Sequence, residues 1–244
     1  MRIRVYSSPR AAADALAALV GGAIASNPGL VLGLPTGRTP IPFYRRLTAL
    51  CARRAIDFAH VTTFNLDEFV GIDSRDPRSY RSFMQRHLFG LVNLAPRRVN
   101  FLNGRAADLA RECARYERAI ARAGGIDLQI LGLGANGHIG FNEPGRQLLA
   151  RTHWTRLTRP TRAANAALFG GDVRRVPKEA LSMGMVTILH ARRIVLLATG
   201  RGKAACVARM IRGPLTTRLP ASFLQVHRNV DVVLDRAAAE RLQE

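Results

Sequence analysis

Lysine is almost missing from this 244-residue chain: Lys178 and Lys203 are the only two, although the formal net charge is +20. The basic charge is therefore carried by arginine, spread along every predicted helix and not massed in one tail. Together with the heavy alanine content, that spread fits a compositional bias and argues against a dedicated basic arm, so nucleic acid is not the expected partner. The scarcity gives each lysine weight. In an arginine-rich chain, a retained ammonium marks a place where a compact charge suits better than a planar fork.

Cysteine is scarce too. Cys51, Cys113 and Cys206 are odd in number, far apart and without metal-ligand spacing, which excludes a disulfide framework and a cysteine metal site and points to a reducing compartment. No apolar run is long enough to span a bilayer. Arg2 and Arg4 precede the weakly apolar stretch Ala15 to Ala25, and Ala23-Ile24-Ala25 mimics a signal-peptidase site. Against a leader, Ile3-Arg4-Val5 reads as a first strand, and the stretch follows Asp14 and contains two glycines. A soluble cytoplasmic protein with no membrane partner is expected. No Ser/Gly-rich or Pro-rich linker, internal repeat or low-complexity tract divides the chain, so residues 1–244 are expected to form one domain with a large core.

What is present is an alternation. Strands are expected at Ile3 to Tyr6, Leu30 to Leu34, Val61 to Asn65, Ile126 to Leu131, Arg193 to Ala198 and Val230 to Leu234, most of them short continuous β-rich runs suited to a sheet buried on both faces. Helical patterns lie between them, over Ala11 to Ala25, Pro40 to Arg53, Tyr80 to Leu88, Ala107 to Ala123, Gly202 to Arg212 and Ala237 to Gln243. The pattern predicts an α/β fold: a doubly wound, mostly parallel sheet with right-handed crossovers and helices on both faces. Ligands of such sheets sit at the carboxyl ends of the strands.

Four strand ends are unusual. Pro35-Thr36-Gly37-Arg38-Thr39-Pro40 turns through glycine into a helix start, which suits an anion, although a plain N-cap turn explains it equally well. Asn65-Leu66-Asp67-Glu68-Phe69 puts two carboxylates side by side, either for chemistry or as a turn pair or helix cap. The glycine-rich loop Gly132 to Pro144 carries Asn136, His138 and Glu143 close together, where His138 alone could be structural. Thr199-Gly200-Arg201-Gly202-Lys203 ends a strand and sets one of the two lysines on the first turn of a helix. A parallel sheet would bring these ends to one rim, so that a base, an imidazole and two anion sites share a cleft.

Gly33 to Pro40, Phe64 to Gly71, Ser79 to Met84, Gly132 to Pro144 and Pro220 to His227 together resemble the glucosamine-6-phosphate deaminase family, in order, from about residue 3 to 236. The resemblance implies a cofactor-independent aldose–ketose isomerisation that releases ammonia, converting glucosamine 6-phosphate to fructose 6-phosphate, with no metal. It further implies that His138 shuttles the proton that opens the sugar ring, and that Glu143 and Asn136 orient it. Asp67 would take the C2 proton and hand it to C1, while Thr36, Gly37, Arg38, Thr39 and Lys203 would hold the phosphate of a small sugar phosphate.

The chain departs from the family's pattern in places. Ala167 stands where the family usually has a second phosphate-binding arginine, and Arg38 occupies a position that is often glycine or serine, so Arg38 is expected to supply the missing guanidinium. Asn136 replaces a frequent aspartate, leaving His138 with one carboxylate, Glu143. The segment Thr152 to Thr155 lacks the basic pair of the allosterically regulated members, and a monomer or simple homo-oligomer is expected. The rival readings are a 6-phosphogluconolactonase, which needs no C2 base, an enzyme for another amino-sugar phosphate, and a non-catalytic sugar-phosphate-sensing domain.

Overall fold

The computed structural model describes residues 1–242. Its strands are β1 (Arg2–Tyr6), β2 (Val31–Leu34), β3 (Thr62–Asn65), β4 (Asp67–Phe69), β5 (Val99–Asn100), β6 (Leu128–Gly132), β7 (His153–Arg156), β8 (Glu179–Ser182), β9 (Arg193–Ala198) and β10 (Val230–Asp235). Its helices are α1 (Pro9–Ser26), α2 (Ile41–Ala52), α3 (Tyr80–His87), α4 (Leu109–Arg122), α5 (Arg159–Asn165), α6 (Met185–Leu189), α7 (Ala204–Arg212) and α8 (Arg236–Ala239). Each run expected to be a strand forms one, with ends shifted by a residue or two. The last expected helix is α8 followed by a 3-10 turn, Glu240–Leu242, and Gln243 lies outside the described residues.

Seven strands form one sheet in the order β1-β10-β9-β6-β2-β3-β5, and every pairing in it is parallel. Alternation of side chains along each strand divides the core in two. Leu32, Leu34, Ile130, Val195, Leu197 and Val233 pack with Leu16 and Val20 of α1 and Tyr44 and Leu47 of α2. Val31, Leu131, Ile194, Leu196, Val232 and Leu234 pack with Tyr116 and Ile120 of α4 and Val207 and Met210 of α7. Both faces are covered, which is why these strands read as largely apolar runs.

Side-chain caps set the starts of α1 and α4. Ser8 accepts from the Ala11 N–H at 3.1 Å ahead of Pro9, and Asp108 accepts from the Arg111 N–H at 2.9 Å. Cys113, Tyr116 and Ile120 then give α4 one buried stripe. Among the described residues no helix is long and apolar enough to cross a membrane.

The sequence reading missed a second sheet, antiparallel, in the order β4-β8-β7. The chain leaves the main sheet at Asn65 and enters the small one at Asp67, with only Leu66 between. Strands this short show no readable alternation, and β5, α5 and α6 escaped notice for the same reason. The small sheet matters for the site: Asp67 sits opposite Ser182, whose Oγ accepts the Phe141 N–H at 3.0 Å and so ties the glycine-rich loop to β8.

Candidate active site

The four strand ends singled out in the sequence belong to β9, β6, β2 and β3, which are consecutive neighbours in the sheet. Strands about 4.8 Å apart put these ends along a rim roughly 15 Å long. A cleft of about 230 Å³ opens there. Thr36, Gly37, Arg38 and Thr39 line it from the turn after β2, Asp67 from β4, His138 from the glycine-rich loop after β6, and Lys203 from the turn after β9. Asn136 and Glu143 lie behind the imidazole and not on the cleft wall.

Asp67 and Glu68 point in opposite senses and do different things. Glu68 is turned inward and accepts from the backbone N–H groups of Phe69 at 2.9 Å and of Tyr80 and Arg81 at 3.0 Å, so it caps α3. Burial lifts its carboxyl to about 7 against the pull of these donors. Asp67 faces the cleft, is 6% exposed, and its Oδ1 accepts no hydrogen bond. Burial raises its carboxyl to about 8, the neighbouring Glu68 adds to the rise, and the Thr36 hydroxyl opposes it. A carboxylic acid placed there has the proton affinity of a base suited to neutral pH.

His138 depends on a glycine. A Cβ on Gly134 would overlap the imidazole ring, so the loop must lack a side chain at that point. The ring is held below its ordinary proton affinity by burial, with Glu143 acting in the opposite sense and Lys203 in the same one. His138 Nδ1 lies 3.8 Å from Glu143 Oε2, too far for a hydrogen bond, and is otherwise unpartnered. Asn136 does not touch the ring. Its Nδ2 donates to Glu143 Oε2 at 3.0 Å and its Oδ1 accepts the His138 N–H at 3.2 Å, so the amide holds one oxygen of the carboxylate and ties it to the loop backbone.

Two cations, Arg38 and Lys203, line the cleft. Gly37 adopts φ of 98°, which lets the loop after β2 turn in front of α2. Arg38 is exposed at this turn. Lys203 does not open α7 as expected but ends a 3-10 turn, Arg201–Lys203, one residue before it, and burial weakens its hold on its proton. Ala167 is exposed in the 3-10 turn Ala166–Phe169, and Ala164 and Asn165 form the nearby wall instead. Among the described residues no group of three or more His, Cys, Asp or Glu is placed to hold a metal ion.

Sequence reasoning missed several wall residues. Tyr80 and Phe141 line the cleft with rings stacked at 5.9 Å and 15°, and the Tyr80 hydroxyl donates to Asn165 Oδ1 at 2.8 Å. Both aromatics stood inside motifs already singled out, Ser79 to Met84 and Gly132 to Pro144. Nothing in a single sequence says which way an aromatic ring of such a motif faces.

A family model described as glucosamine-6-phosphate isomerases/6-phosphogluconolactonase matches residues 7–233. A glucosamine-6-phosphate deaminase of Alkaliphilus metalliredigens is 44% identical over 243 residues, covering 100% of both chains. Among solved structures, a monomeric glucosamine-6-phosphate deaminase superposes with a TM-score of 0.95 at 41% identity, covering 99% of this chain and 100% of that one. A 6-phosphogluconolactonase from Trypanosoma cruzi shares the fold at a TM-score of 0.79 and 22% identity, over 100% and 97% of the two chains. With a family model matched over nearly its whole length and a full-length relative at this identity, the chain belongs to the glucosamine-6-phosphate isomerase/6-phosphogluconolactonase family.

Proposed function

We propose that this chain, as a single catalytic domain, converts glucosamine 6-phosphate and water to fructose 6-phosphate and ammonia. The observation that carries the reading is Asp67: a buried carboxylate with a free oxygen, facing the same cleft as an imidazole and a lysine. Hydrolysis of a lactone needs no base at a carbon. An aldose–ketose isomerisation does.

In the proposed sequence, His138 moves the proton between the ring oxygen and the C1 hydroxyl as the pyranose opens. Asp67 takes the C2 proton to give an enolamine and delivers it to C1, leaving an imine at C2. Water adds to the imine carbon and ammonia departs, giving the ketone. Glu143 and Asn136 orient His138. Thr36, Gly37, Arg38, Thr39 and Lys203 hold the phosphate, whose binding fixes C2 against the base.

The test is coupled detection of fructose 6-phosphate and ammonia from glucosamine 6-phosphate, run beside unphosphorylated glucosamine and 6-phosphogluconolactone. Ammonia from the phosphorylated amino sugar is expected. Lactone turnover with no ammonia from any amino sugar would reject the reading. Folded Asp67→Asn and His138→Gln variants are expected to lose the activity.

Arg38 supplies in this reading the guanidinium that Ala167 lacks. Arg38→Gly is expected to raise KM for the sugar phosphate, and an unchanged KM would sink the compensation. We also infer a monomer working in the cytoplasm. The monomeric relative supports the first inference, and three cysteines without disulfides support the second. Light scattering at working concentration and cell fractionation test them.

A further inference from the structure

Glu143 has two oxygens with separate holders. Oε2 receives Asn136, on its own loop, at 3.0 Å. Oε1 receives the hydroxyl of Thr161, from α5, in a short hydrogen bond. Thr161 is 2% exposed, and its Oγ1 also accepts from the Thr158 hydroxyl at 3.2 Å, so its rotamer is set by the first turn of the helix. One turn further on, Asn165 Nδ2 donates to the Thr161 carbonyl at 2.9 Å while its Oδ1 accepts from Tyr80. A single connected network therefore runs from the cleft wall, Tyr80 and Asn165, through Thr161 to the carboxylate behind His138.

We propose that Thr161 is a positioning residue for His138: its hydroxyl fixes the Glu143 carboxylate behind the imidazole and makes that fixation depend on α5 being docked. The inference rests on the roles given above to His138 and Glu143. Asn136 alone could hold one oxygen, but a carboxylate held at one oxygen is free to rotate about its terminal bond, and a buried ring gains from a charge only where that charge stays put. Thr161 removes the rotation. The charged groups around His138 are Glu143 on its own loop, Lys203 from the turn before α7, Asp67 from β4 and Arg38 from the turn after β2. On α5 itself, Arg162 is turned to the carbonyls of Val173 and Val176 and does not compete for Glu143.

Thr161→Val keeps the shape and removes the donor. Hydrogen bonds to charged groups are worth enough that kcat is expected to fall about tenfold, with KM for glucosamine 6-phosphate changed less than about threefold. The decisive readout is the NMR titration of the His138 imidazole in the free protein, assigned with His138→Gln. With the carboxylate no longer fixed, the His138 midpoint is expected to fall further, by about half a unit. Thr161→Ser, which restores the hydroxyl, is expected to recover both kcat and the midpoint. An unchanged midpoint in Thr161→Val, or one that rises because Glu143 swings onto the ring, overturns the proposal, as does a Thr161→Ser variant no better than the valine. Should the valine variant fail to fold, Thr161→Ala carries the same readouts. If His138→Gln itself retained full activity, the reading of the site would fail, and not the role of Thr161 alone.

Discussion

The buried carboxyl of Asp67 costs the fold stability at neutral pH, and Asp67→Asn measures that cost. Burial raises its carboxyl from 3.8 to about 8, so the native state binds the proton more tightly than the unfolded chain does. The stability this proton brings is fully present below pH 3.8 and is lost as pH rises through about 8. At about 1.4 kcal/mol per pH unit, the mismatch between the buried Asp67 and its free ionisation in the unfolded chain lowers stability by about 4 kcal/mol at pH 7 and about 5 kcal/mol at pH 8, but by less than about 1 kcal/mol at pH 4. Asparagine has nearly the same shape and never ionises. It also removes the like charge next to Glu68. Asp67→Asn is therefore expected to be more stable than the parent at pH 8 and nearly equal to it at pH 4. With about 2–4 °C of Tm for each kcal/mol in a chain of this length, the gain at pH 8 is roughly 10 °C or more. Differential scanning calorimetry of both proteins at pH 4, 6, 7 and 8 reads it directly. A variant less stable than the parent at pH 8, or a gain that does not grow with pH, would show that Asp67 is not desolvated in the way its surroundings indicate. The same variant is expected to be inactive, which makes the ionised carboxylate a case of stability given up for function.

Four further outcomes follow from the same geometry. The acid limb of kcat/KM, which reports the free enzyme, should lie near the Asp67 value of about 8, and that of kcat lower, because in the proposed complex the substrate's ammonium would lie beside the carboxylate. Identical limbs in the two profiles would remove Asp67 as the titrating base. Glu68→Gln takes away a like charge next to Asp67 and should move the kcat/KM acid limb down, at a stability loss of about 1–2 kcal/mol for the weakened α3 cap; a limb that stays put would show that the two carboxylates are uncoupled. Gly134→Ala pushes the His138 ring aside and should lower kcat about 100-fold or more while thermal unfolding shows a folded protein. Lys203→Ala should raise KM for the phosphorylated amino sugar at least about tenfold and leave any turnover of unphosphorylated glucosamine nearly unchanged. Equal losses on both substrates would mean that the ammonium acts elsewhere than on the phosphate.

The sequence by itself determined six of the seven strands of the main sheet and the loops that serve it. Strands covered on both faces are mostly apolar, so β2, β6, β9 and β10 announced themselves as apolar runs, broken only at Gln129 of β6 and Asp231 of β10. Glycines, a lone lysine and clustered polar residues at the strand ends marked the rim, because such residues have no packing role at the mouth of a parallel sheet. What the sequence left open was which ends are neighbours. Strand order depends on how crossovers stack helices on either face, and only the folded chain shows β9, β6, β2 and β3 side by side. The split between Asp67 and Glu68 was likewise undecided in the sequence, where both stand at the same strand end. One residue of β4 register sends the first into the cleft and the second onto the N-terminus of α3, since successive side chains of a strand point to opposite faces. Thr161 had no sequence signal at all. Its partner Glu143 is 18 residues away, and the hydrogen bond between them exists only because α5 docks against the loop after β6. Local pattern reports what each segment buries. The contacts between distant segments, which set the protonation and position of the reactive groups, are decided by tertiary packing.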